Sequence, residues 1–119
     1  MTPPITHAID GPIATVVLNN PGKLNAMGLE GWAELGRVMG ELSENAGLRC
    51  VVLRGAGDKA FSAGADITEF PENRANAKQA SDYGDIVTVM LKNISGCLHP
   101  TVAAIQGVCT GGGLEVACA

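Results

Sequence analysis

Two short runs of alternating apolar and polar residues open the chain, ITHAID (5–10) and IATVVLN (13–19), split by Gly11-Pro12. Alternation around such a break predicts a β-hairpin, with the second strand the stronger. Asn20-Pro21-Gly22-Lys23 then interrupts the pattern. Beyond it Leu29, Trp32, Leu35, Val38, Met39 and Leu42 recur at helical steps. They form one face of an amphipathic helix over roughly 28–45, ending near Asn45-Ala46-Gly47. Gly31, Gly36 and Gly40 each weaken that helix by about 1 kcal/mol relative to Ala, so packing must hold it.

RCVVLRG (49–55) is a β-branched run that predicts a buried strand. AGDKAFSAGADI (56–67) follows, rich in small residues and without helical period, and PENRANAKQASD (71–82) is polar, a surface loop or a helix start. A second amphipathic face uses Tyr83, Ile86, Val87, Met90, Leu91, Ile94 and Leu98 and stops at His99-Pro100. TVAAIQG (101–107) predicts another buried strand, and the glycine turn after it opens a last helix. The order β-β-α-β-(loop)-α-β-α is an α/β pattern with a mixed or largely parallel sheet.

Composition narrows the function classes. The 119 residues suit one domain, 1–119, with a modest core; 46% are hydrophobic and only 3% aromatic, so aliphatic side chains must fill that core. A net charge of −4 offers no basic field for nucleic acid. MTPPITHAID has neither the charged start nor the apolar stretch of a signal peptide, and no apolar run reaches the length of a membrane span, so cytoplasm is expected. Cys50, Cys97, Cys109 and Cys118 show no paired spacing and read as small buried hydrophobes; with only His7 and His99 beside them, no metal site is expected.

Three small-residue segments are candidates for chemistry. GAGDKA (55–60) fits the dinucleotide fingerprint formally, but no helix follows it, and a tight turn after a strand is the better reading. Gly107 and Gly112 have P-loop spacing, yet Gly113-Leu114 stands where Lys-Ser/Thr is required, so nothing would neutralise a terminal phosphate. What remains is a strand, a glycine turn and a helix start with Glu115 in its first turn. Free N–H groups there suit a negative oxygen. A plain tight turn accounts for this motif equally simply. FSAGADI (61–67) is a second turn of the same kind after a different strand, and two such loops at neighbouring strand ends can converge on one oxygen.

FSAGADI followed by TVAAIQGVCTGGGLE resembles the crotonase superfamily of enoyl-CoA hydratases and isomerases. NNPGKLNAM (19–27) resembles that family's early Asn-Pro…Asn-Ala segment, and CVVLRGAGDKAFSAGAD its third strand and first oxyanion loop. The resemblance implies an α/β spiral of ββα units, here its N-terminal portion, assembled as trimers or hexamers. It implies an acyl-CoA thioester as substrate, with coenzyme A arriving on the substrate rather than as a cofactor. Carried onto this chain, the N–H groups of Ala65 and Gly112 form the oxyanion hole, and Glu115 activates the water added across the α,β double bond. Lys23, Leu24 and Ala26, with Ala63, Ala65, Asp66, Ile67, Thr68, Gly111 and Gly112, fall on the segments lining the acyl-CoA cleft. Thr68 departs from the lysine that many hydratases carry. The hydratases' second glutamate would lie beyond residue 119, so the resemblance makes this an N-terminal part, inactive alone. An isomerase or another crotonase-type dehydratase, and a non-catalytic acyl-CoA-binding or assembly fragment, are the alternatives.

Overall fold

The computed structural model describes residues 2–119. Strands β1 (Ile5–Asp10) and β2 (Ile13–Leu18) pair antiparallel, with Asp10 opposite Ile13 across the Gly11-Pro12 turn. Alternation along β2 sends Ala14, Val16 and Leu18 inward, all fully buried. Helix α1 (Leu29–Ser43) then carries the chain to β3 (Cys50–Gly55), which lies parallel to β2. After α2 (Phe70–Asn73) and α3 (Ala77–Ser95), strand β5 (Thr101–Ala104) joins β3 in parallel, giving the order β1-β2-β3-β5. A second, two-stranded sheet pairs β4 (Ala60–Ser62) with β6 (Val108–Cys109), and α4 (Gly112–Cys118) follows it.

One core fills the space between the four-stranded sheet and the helices. Trp32, Leu35, Val38, Met39 and Leu42 of α1 meet Val16, Val51 and Leu53 of the sheet and Met90 and Ile94 of α3. The glycine at 36, poor for a helix, has a packing cause. A Cβ there would lie 3.2 Å from Met90 Cα, so its absence lets α1 and α3 approach, and Asn93 Nδ2 donates to the Gly36 carbonyl at 2.8 Å.

The polar stretch 71–82 takes the helix-start alternative, with Asn76 capping α3 by accepting from Gln79 N–H at 2.9 Å. Three expectations change. That helix stops at Ser95 with Gly96 after it, so Leu98 leaves the apolar face and is 79% exposed. β5 is the edge of its sheet rather than a buried strand, with Val102 half exposed, and residues 60–62 and 108–109 form the separate small sheet. Of the four cysteines three are partly buried and Cys118 is exposed, each a free thiol.

Candidate active site

The first wall of the site is held by two buried polar side chains. Asn25 sits at φ 57, where a short amide side chain is tolerated. Its Nδ2 donates to the carbonyls of Ala56 and Ala60 at 3.0 and 2.9 Å, and its Oδ1 accepts from Asn20 N–H at 2.9 Å. Ser62 Oγ donates to the Asn25 carbonyl at 2.8 Å and accepts from Gly64 N–H at 3.1 Å. The segment 23–27 is thereby laid along 63–66. Ala63 N–H donates to Leu24 O, Met27 N–H to Gly64 O and Asp66 N–H to Met27 O, at 2.8–2.9 Å. This parallel bridge uses the groups on either side of Ala65 and leaves the Ala65 N–H facing away from Met27.

The second wall comes from β6 and α4. Thr110 N–H donates to Ser62 O at 3.2 Å, and Thr110 Oγ1 to Ala63 O at 3.2 Å, so the glycine turn is tied to the first loop. Two glycines are required by contact. A Cβ on Gly64, which has φ 102, would lie 2.9 Å from Gly112 N, and one on Gly113 would run into the Ser62 carbonyl. Glu115 N–H closes the first turn of α4 onto Gly111 O at 3.1 Å. Among the described residues, neither Ala65 N–H nor Gly112 N–H meets an acceptor. Two unpaired amides on touching loops are a site for an oxygen bearing charge.

Both amide residues border a cleft of about 140 Å³, completed by Glu115, Trp32, Arg74, Tyr83, Val87 and Met90. Trp32 Nε1 donates to Tyr83 Oη at 3.0 Å, fixing two walls from different helices. Burial pushes the Tyr83 phenol above its usual range, although the Trp32 hydrogen bond opposes the shift. Glu115 is exposed, and its carboxylate has no hydrogen-bond partner among the described residues. A larger groove, about 380 Å³ between α1 and α3, is lined by Ile86, Val89 and Met90 and lies apart from these groups except at Met90.

The structure therefore brings together Ala65, Gly111, Gly112 and Glu115, with Ala63 and Asp66 on the same loop and Leu24 and Ala26 on the segment beside it. Lys23 reaches this group through Asp66, with Nζ 3.3 Å from Oδ2. Thr68 Oγ1 donates to Asp66 Oδ1 at 2.6 Å; this bond first, then the Thr68 amide and Lys23, hold the Asp66 carboxyl below its usual range. Ile67 and Thr68 stand outside the cleft, and Ile67 is 69% exposed. Sequence reading missed the work of Asn25 and Ser62, which sit inside the quoted motifs but whose partners are remote in sequence. It also read Trp32, Tyr83, Val87 and Met90 only as helix faces and passed over Arg74. Among the described residues no three His, Cys, Asp or Glu stand together as metal ligands, and no helix is long and apolar enough to cross a membrane.

Comparison with known proteins bears on the family and the fold. The family model for enoyl-CoA hydratase/isomerase matches residues 8–119. The short-chain-enoyl-CoA hydratase of Clostridium acetobutylicum is 34% identical over 91% of this chain and 41% of its own length. A mitochondrial Delta(3,5)-Delta(2,4)-dienoyl-CoA isomerase from Pongo abelii is 34% identical over 85% of this chain and 33% of its own. Among solved structures, an enoyl-CoA hydratase/carnithine racemase from Magnetospirillum magneticum superposes with a TM-score of 0.94 at 44% identity, covering 99% of this chain and 44% of that one. The chain thus spans about two fifths of the length of the first of these relatives, 41%.

Proposed function

This chain belongs to the enoyl-CoA hydratase/isomerase family of crotonase-fold enzymes, and on that premise we propose that it supplies the oxyanion hole and one catalytic carboxylate for adding water to an enoyl-CoA thioester. The observation that carries the proposal is the pair of unpaired amides, Ala65 and Gly112, on touching loops, with Glu115 three residues beyond Gly112 in the same cleft.

The thioester carbonyl oxygen accepts from both N–H groups. Glu115 takes a proton from water as the water oxygen bonds to Cβ, and the π electrons of the Cα–Cβ bond move toward the carbonyl. The resulting enolate carries its charge on the oxygen between the two amides. Enolate collapse then takes at Cα the proton that Glu115 removed from water, which returns the carboxylate to its starting state and completes the addition of water. Fixed donors aimed at such an oxygen contribute ~10²–10³ in rate each, and a positioned carboxylate roughly 10²–10⁴. The loops 23–26 and 63–68 are assigned to the coenzyme A part of the substrate, with Lys23 able to exchange its exposed pairing with Asp66 for a phosphate.

Isomerisation is the second reading, favoured by the similarity to the mitochondrial Delta(3,5)-Delta(2,4)-dienoyl-CoA isomerase. In it Glu115 would carry a proton between two carbons of the enolate bound at the same two amides. Both readings are tested on the full polypeptide containing this sequence. Loss of the conjugated-thioester absorbance of crotonyl-CoA, with 3-hydroxybutyryl-CoA formed, supports hydration. Conversion of a 3-enoyl-CoA to the 2-enoyl isomer without hydration supports the second reading. Turnover of neither by a folded protein overturns both.

A further inference from the structure

The cleft that holds the two free amides and Glu115 also holds one cation, Arg74. Its Cζ lies 4.3 Å above the Phe70 ring centroid and 5.4 Å from that of Tyr83, and the two rings meet edge to face at 6.1 Å. A guanidinium seated on a ring keeps its N–H groups at its own edge, where they remain able to donate. Among the described residues no carboxylate lies within ion-pairing distance of Arg74, and this includes Glu115 across the same cleft.

Tyr83 is a second donor. Its hydroxyl oxygen accepts from Trp32 Nε1 at 3.0 Å, which leaves the phenolic proton without an acceptor among the described residues. Burial pushes the phenol up, so that proton stays in place at neutral pH. Val87 and Met90 supply the apolar remainder of the wall. An acyl chain entering beside the amides therefore meets hydrocarbon, one guanidinium and one hydroxyl proton. A plain hydrocarbon chain would leave the buried Tyr83 hydroxyl proton unpaired, an unfavourable outcome for a polar group cut off from water, and would make no use of the Arg74 guanidinium, which is exposed at the rim of the cleft. Because the thioester carbonyl is assigned to the same cleft, these donors face the acyl group and not the nucleotide end of coenzyme A.

We propose that Arg74 and Tyr83 recognise a carboxylate on the acyl chain, so that the site takes thioesters of short dicarboxylic acids in preference to unsubstituted fatty acyl thioesters. This rests on the acyl-CoA site proposed above. Arg74 is a specificity residue in this account, and the hydrogen bond from Trp32 sets the direction in which Tyr83 donates.

The test uses glutaryl-CoA and valeryl-CoA, unreactive thioesters of equal chain length that differ by the terminal carboxylate. Their affinities for the full polypeptide are measured by calorimetry, beside turnover of glutaconyl-CoA and crotonyl-CoA. Glutaryl-CoA should bind roughly 10-fold or more tightly than valeryl-CoA, the scale of a charge-assisted hydrogen bond. Arg74→Met should erase that preference by weakening glutaryl-CoA alone, and Tyr83→Phe should reduce it severalfold. Equal affinities in the unaltered protein overturn the proposal. So does an equal loss for both thioesters in Arg74→Met, which would assign the guanidinium to coenzyme A phosphates. If the preference holds but neither enoyl-CoA is turned over, the carboxylate site stands and the enzymatic reading fails. If a folded protein binds neither thioester, both fall.

Discussion

A Cβ atom on Gly64 would lie 2.9 Å from the amide nitrogen of Gly112, so at this point the two loops that present the unpaired N–H groups meet backbone to backbone. The contact fixes the separation of the two donors with no side chain between them. Gly64→Ala adds a methyl group at that contact and does so at φ 102, a region costly for any residue with a Cβ. The expected result is a fall in kcat of ~10²-fold, comparable to losing one donor, with acyl-CoA affinity largely kept. Steady-state kinetics beside a direct binding measurement separates the two. An unchanged kcat in a folded variant would remove these amides from the chemistry.

Glu115 offers a cleaner probe. It is exposed and its carboxylate has no hydrogen-bond partner among the described residues, so Glu115→Gln should leave stability within about 0.5 kcal/mol. Turnover of a short enoyl-CoA should fall by about 10²-fold or more, since the amide cannot take the proton. The check is a thermal melt together with single-turnover kinetics. A loss confined to stability, with kcat intact, would return Glu115 to the role of a residue that merely suits a helix start.

Elements built on a regular period were legible in the sequence, and elements built on pairing were not. Helix α1 runs over Leu29–Ser43 because its apolar spacing leaves no other buried face, and β1, β2 and β3 fall where alternation or a β-branched run placed them. The three-residue β4 and two-residue β6 are too short to carry a period, and they exist because each supplies the other's hydrogen bonds. Leu98 fits the α3 stripe by spacing, but Gly96 ends the helix two residues earlier. At the site, Ala65, Gly112 and Glu115 stood out through glycine placement and family resemblance. Asn25 and Ser62, which hold the first loop in place, act on groups up to 37 residues away, and no local pattern announces such partners.

Asn25 provides a test of that positioning. All three of its recorded side-chain hydrogen bonds end on backbone groups of the loops around the site, and the residue is 1% exposed. Asn25→Ala should cost roughly 2–4 kcal/mol, because two carbonyls and one N–H lose their partner in a buried place. Asn25→Asp should cost at least as much, since the group facing the carbonyls of Ala56 and Ala60 becomes an acceptor instead of a donor. Urea unfolding of the full polypeptide reads both. A cost below about 1 kcal/mol for either variant would mean that the loop is held by other contacts.

The last expectation concerns pH and the loop that follows Ala65. The Asp66 carboxyl is held below its usual range, first by the Thr68 hydroxyl at 2.6 Å, then by the Thr68 amide and Lys23. A carboxyl depressed in the folded state binds its proton more weakly there than in the unfolded chain. Its contribution to stability is therefore present above the unfolded value near 3.9 and is lost as pH falls through the lower folded value. Removing the largest cause should narrow that window. Thr68→Ala should move the Asp66 titration up toward the ordinary carboxylate range, whereas Thr68→Ser, which keeps a hydroxyl, should hold it low. Carboxyl carbon chemical shifts followed by NMR across acid pH report the group directly. Coincident titrations in the two variants would show that the threonine hydroxyl does not set the charge of Asp66, and would leave Lys23 and the backbone amide as its determinants.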